Sequence, residues 1–237
     1  FGGIFGQFEK AAVIRGFQIW EENCSSCHSA EYFTFRNLAD LGLTRDQVKA
    51  IASNYEVDAE PNEEGLIYDD EGNRLKRTAI ASDYFPAPFP NALAAAAVHG
   101  KAPPDLSLIT KARIGGPDYV YSVLTSYVDD EDMTEEQKKK AGDLYYNKVY
   151  GVIAMAAPLQ DGGVEYVDGV EATVSQQAKD ITEFLHWVAE PKLDQRKSLG
   201  VAVMIFMIAF TIFAFIAYWR LHQRVHHSTK PGPWPLH

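Results

Sequence analysis

The chain has 237 residues, 46% hydrophobic and 23% charged, a balance that suits one sizeable globular domain or two small ones. Its formal net charge of −10 argues against a nucleic acid as partner. The charge is uneven: residues 1–197 carry 19 Lys and Arg against 32 Asp and Glu, and beyond them only Arg220, Arg224 and Lys230 are charged. An acidic body is followed by a basic tail.

Residues 8–22, FEKAAVIRGFQIWEE, place Val13 or Ile14 with Phe17 and Trp20 on one face, which predicts a helix running directly into NCSSCHSA at 23–30. Thr44 with Gln47, Thr134 with Gln137 and Thr173 with Gln176 each fit a capping box at the start of a helix. The stretches 59–73 and 83–90 read as long loops, which are unusual unless they pack on something or carry function. Residues 91–100 are helix-prone with Gly100 as a stop, and a further helix is expected from Pro117 to about Tyr127. Asp168–Gly169 lies between short β-like runs and predicts a small hairpin over 164–174. The last helix of the body presents Ala178, Ile181, Leu185 and Val188 on one face and stops before Pro191.

Ser198 to Trp219 is then uninterrupted by charge. As a helix rising about 1.5 Å per residue it would span roughly 30 Å, the thickness of a hydrocarbon core. Tyr218 and Trp219 suit an interfacial belt, and the basic residues beyond them put the C-terminus in the cytoplasm by the positive-inside rule. The expected order is a periplasmic body (1–197), a transmembrane helix (198–219) and a cytoplasmic basic tail (220–237). The chain opens at Phe1, which reads as a mature chain whose signal peptide has been removed.

Cys24, Cys27 and His28 form a Cys-x-x-Cys-His pattern. Structural zinc commonly uses a second cysteine pair, and no other cysteine is present. A thioredoxin-like redox pair would call for a βαβ context, and a disulfide closing so small a ring would add little stability. The fifth residue favours covalent attachment of one c-type haem, with thioether bonds at Cys24 and Cys27 and His28 next in line for the iron. The expected fold is therefore mainly α: a c-type cytochrome domain with long loops and a small hairpin, plus a C-terminal membrane helix.

The second axial ligand is sought among four methionines. Met204 and Met207 fall inside the apolar span, and Met133 sits in the charge run DDEDMTEE, where solvation is expected. Met155, in GVIAMAAPL, has apolar surroundings and is the candidate; His99 is the rival, and His186 reads as a partly exposed helix residue. His222, His226, His227 and His237 lie beyond the span. A His/Met pair fills both axial positions, raises the haem potential and favours electron transfer over chemistry on a bound substrate.

Several stretches carry a more specific signal: RGFQIWEENCSSCHS at 15–29, FRNLA at 35–39, APPDLSLITKARIGGPDYVYSVLTSY at 102–127, IAMAAPL at 153–159 and FLHWVAEP at 184–191. In these the chain resembles the cytochrome c1 family, the haem subunits of quinol–cytochrome c oxidoreductase (complex III), and a bacterial member of it. The resemblance implies an electron-transfer subunit without catalytic chemistry of its own, reduced by an iron–sulfur protein, passing electrons to a cytochrome c, and anchored beside cytochrome b in the bacterial inner membrane. It implies thioether roles for Cys24 and Cys27 and axial roles for His28 and Met155. Pro104 and Leu106 would pack against the haem, with Arg113 near a propionate and Tyr119 beside it. A free-standing membrane-tethered shuttle and a haem peroxidase or sensor are the alternatives. The stretch before Pro103 departs from the family in lacking its arginine and asparagine, so that His99 or Lys101 would replace their contacts. Residues 56–71 hold eight acids and no base, and residues 129–136 hold six acids. Opposite charge speeds encounter, so these patches are expected to steer a basic cytochrome c.

Overall fold

The computed structural model describes Gly3 and residues 6–228. It divides into two compact units, Phe1–Pro191 and Lys192–His237.

The first unit is built on the packing of α1 (Lys10–Ile19) against α7 (Val174–Ala189). α1 buries Val13, Phe17 and Ile19. Between them Gly16 lets the two backbones meet. A methyl group there would overlap the Asp180 carbonyl and lie 2.6 Å from Phe184 Cβ. The next residue back is charged and buried. Arg15 donates from Nε and Nη2 to the two oxygens of Asp180 at 2.9 and 3.0 Å, and from Nη1 to Asp168 at 2.7 Å. Asp180 is fully buried and also accepts from Gln176. A paired and fully hydrogen-bonded charge is the form in which burial is tolerated.

The sequence pattern gives α7 one apolar face; the structure buries it nearly all round, including Gln177, Asp180 and Thr182. It is the central helix of the unit, with α4 (Ile109–Ala112) and α5 (Gly116–Thr125) also against it. Three of the predicted helix starts stand as read. Thr44 and Thr134 form complete capping boxes ahead of α2 (Arg45–Ala52) and α6 (Glu135–Ala141), and Thr173 accepts from the Gln176 amide. Asn91 caps α3 (Ala92–His99), which stops at left-handed Gly100. α5 ends at Thr125, two residues before the expected Tyr127, because Tyr127 enters a strand.

The β-structure lies elsewhere than expected. No strand forms over 164–174. Gly169 closes a turn onto the Tyr166 carbonyl, Tyr166 is buried, and Asp168 is drawn to Arg15. That ion pair takes the place of cross-strand pairing. Instead β1 (Glu56–Asp58) pairs antiparallel with β2 (Lys76–Thr78), and β3 (Tyr127–Val128), β4 (Tyr145–Asn147) and β5 (Gly151–Ile153) form a second antiparallel sheet in that order. The acidic loop 59–73 is thus the tip of a ribbon. Asn62 and Asp69 fold it by accepting backbone amides. The loop 83–90 packs inward: Phe85 stacks on Phe33 and Phe35 at centroid distances of 5.0 and 4.1 Å.

The second unit is α8 (Leu193–Ser228), which starts five residues before the charge-free stretch and continues beyond it. By length and composition it can cross a membrane, with a mean hydropathy of 2.8 and none of that stretch buried. Of the basic tail, Lys230 and the rest of 229–237 lie outside the described residues.

Candidate haem site

α1 does not stop cleanly at Ile19. It widens into a π-helical turn, Trp20–Cys24, closed by the Ser25 amide on the Trp20 carbonyl at 2.9 Å. Such wide turns insert a residue without breaking the helix and recur at functional sites. The chain then folds tightly, with the Cys27 and His28 amides both donating to the Cys24 carbonyl at 3.1 and 2.9 Å. Cys24, Cys27 and His28 therefore share one turn, and both cysteines are free thiols. Burial, with Cys27 close by, pushes the Cys24 thiol up to about 12. A thiol of that kind stays protonated near neutrality, which disfavours a thiolate redox pair.

His28 is held from behind. Its Nδ1–H donates to the Pro104 carbonyl at 2.8 Å; a carbonyl only accepts, so this contact fixes the proton on Nδ1. The Nε2 lone pair is left for a metal. Burial lowers the imidazole's affinity for a second proton, which keeps Nε2 available. The segment bearing Pro104 is stitched to the residues after His28. Leu106 N–H donates to the Ser29 carbonyl, and Tyr32 N–H to the hydroxyl of fully buried Ser107. Leu106 and Tyr119 are half-buried against the core.

Met155 lies just after β5 and is half-buried. Tyr127 donates its hydroxyl to the Met155 carbonyl at 3.1 Å, and Asn23 Nδ2 donates to the Pro158 carbonyl at 3.4 Å. The methionine loop is thus tied to the residue preceding Cys24. Met133 is not solvated as its charged neighbours suggest: it is 8% exposed. Elimination on solvation alone therefore does not separate it from Met155. Arg113 lies exposed beyond α4 and forms no ion pair among the described residues, beside Ile114 at 99% exposure. His186 is half-buried with its ring edge-on to Phe8.

The donor set fits a c-type haem. Two adjacent thiols, an imidazole with only Nε2 open and a thioether are what covalent attachment and six-coordination require. His99 Nε2 and Thr110 Oγ1 are buried polar atoms without a hydrogen-bond partner among the described residues. His99 ends α3, edge-on to Phe89. Among the described residues no group of three or more His, Cys, Asp and Glu is placed to hold a bare metal ion.

Comparison with known proteins agrees. The model of the Cytochrome C1 family matches residues 1–225. The chain belongs to the cytochrome c1 family. Among its relatives, cytochrome c1 of Rhodospirillum rubrum is 39% identical over 236 residues, covering 92% of this chain and 84% of that one. A mitochondrial cytochrome c1 heme protein of Solanum tuberosum is 40% identical, covering 96% and 84%. Cytochrome b/c1 of Bradyrhizobium diazoefficiens is 42% identical over 89% of this chain, which spans 33% of that longer relative. Family membership implies a haem cofactor. Sequence reading did not find Asp105, Ser29 and Ser107, which hydrogen-bond across the segments bearing His28 and Pro104, nor Tyr127. The Asp-x-Ser spacing signals a local turn, but not the partners 74 to 76 residues away.

Proposed function

We propose that this chain is the electron-transfer haem subunit of a bacterial quinol–cytochrome c oxidoreductase. Cys24 and Cys27 would hold one haem through thioether bonds, and His28 and Met155 would be the ligands to its iron. The haem, when bound, supplies a one-electron couple at iron. The chain's own residues keep the ligand sphere closed and oriented: Pro104 fixes the His28 tautomer, Leu106 and Tyr119 wall the site, and Arg113 offers a two-pronged guanidinium to a propionate. No proton donor or nucleophile is needed for this step. The electrons come from an iron–sulfur protein and leave to a cytochrome c. Cytochrome b is the neighbour of the helix, a reading supported by the relative whose name joins b and c1. The body (1–197) faces the periplasm, residues 198–219 cross the inner membrane, and the tail from Arg220 is cytoplasmic.

The observation that carries this reading is the His28 Nδ1–H bond to Pro104, which leaves Nε2 free as a ligand within a Cys-x-x-Cys-His turn. Met155→Ala tests it. The methionine-to-iron absorption band should vanish and the haem potential fall while the covalent haem remains. A spectrum unchanged by the substitution would reject Met155 as ligand and revive an open-faced haem.

A further inference from the structure

The carbonyl that holds His28 is itself held by the next residue. Asp105 Oδ2 accepts from the Ser29 hydroxyl and from the Glu31 amide, each at 2.9 Å, and Oδ1 accepts from the Ser107 amide at 2.9 Å. Ser29 adjoins His28 in the chain and Asp105 adjoins Pro104. The carboxylate therefore joins the two segments one residue away from the His28–Pro104 hydrogen bond, on both sides of it. A turn-forming aspartate would need only the Ser107 contact, two residues ahead. The two donors from the far segment are surplus to that local role and point to a second one.

We propose that Asp105 is a positioning residue for the axial imidazole: by clipping the Pro104 carbonyl against His28 Nδ1–H, it sets how strongly His28 Nε2 donates to iron. This rests on the reading of His28 as an axial ligand. The physical link is direct. An acceptor pulling on Nδ1–H shifts electron density into the ring and makes the opposite nitrogen a better donor. A better donor favours oxidised iron. When the clip is removed, the carbonyl drifts, the ring donates less and the reduced state gains.

The experiment compares Asp105→Ala and Ser29→Ala with wild type, as whole chains in native membranes. Midpoint potential and the EPR g-values of the oxidised haem are measured, with the methionine-to-iron band as control for an intact axial pair. Asp105→Ala should raise the potential and move the g-values with the band retained. Ser29→Ala, which removes one of three donors, should move both in the same direction by less. A lowered melting temperature with wild-type potential and g-values in Asp105→Ala would show a purely structural role and overturn the proposal. Where Asp105→Ala accumulates no haem, Ser29→Ala decides: a shifted potential supports the clip, and an unchanged one overturns it. Wild type without covalent haem would instead overturn the underlying reading of the site.

Discussion

Arg15 and the acids around it show how much one side chain can organise. Its guanidinium satisfies Asp180, fully buried on α7, and reaches Asp168 in the turn ahead of that helix. Replacing it by methionine leaves the fully buried Asp180 carboxylate without its charge partner. Breaking a buried pair from one side costs about 3–5 kcal/mol, so Arg15→Met should lower the denaturation midpoint sharply. The Asp168 carboxyl is held below its usual range first by its hydrogen bond to Arg15, and Asp83 likewise by Arg77. A depressed folded-state value gives stability that is full above the unfolded value near about 4 and is lost as pH falls through the folded one. Melting temperatures followed from neutral pH into that acid range should therefore fall less steeply in Asp168→Asn than in wild type. At this scale the sequence was legible wherever partners are neighbours. Cys24, Cys27 and His28 stand together in five residues and could be read at once. Arg15 and Asp180 are 165 positions apart and carried no local mark.

Elements were legible in proportion to their length and their caps. The threonine caps announced three helices because the signal lies within four residues of the helix they start, whereas α3 was read from its composition and Gly100. The sheets escaped because their strands are two or three residues long, too short to show alternation, and β1 and β2 are parted by the whole acidic loop. The Asp168–Gly169 turn exists, but a hairpin needs flanking strands, and these flanks are committed to the core and to Arg15. Two changes probe the elements that set the site. Gly16→Ala forces α1 away from α7 and should destabilise by at least ~1–3 kcal/mol, seen as a lowered unfolding midpoint with the haem spectrum intact below it. Deleting Glu22 from the π-helical turn removes its extra residue, closes it to an ordinary α turn and reshapes the junction between α1 and the cysteine turn. Covalent haem staining of that variant should be lost although every proposed ligand remains.

For the molecule as a whole, charge and hydropathy were the readable quantities. α8 should hold the chain in membranes against high salt and alkaline washing and release it only to detergent, as fractionation would show. The acidic ribbon tip is exposed, although Asp58 is partly neutralised by Arg74 and Lys76. If it steers a basic acceptor, turnover should fall as ionic strength rises past the range where the screening length is about 10 Å. Rates flat with salt would remove the steering role. The pairing of α1 with α7 has a consequence for the order of events as the chain is made. The face of α1 built from Val13 and Phe17 is covered by a helix that ends only four residues before α8 begins. Emerging from its N-terminus, the chain must present nearly the entire body before its first helix can be covered. Were haem attached covalently, as proposed, the turn after Trp20 would be open to that chemistry until Trp20 packs on Phe184 of α7. The fold itself times the closing of that window, and chains stalled before Thr173 should leave residues 20–28 open to protease while complete chains protect them.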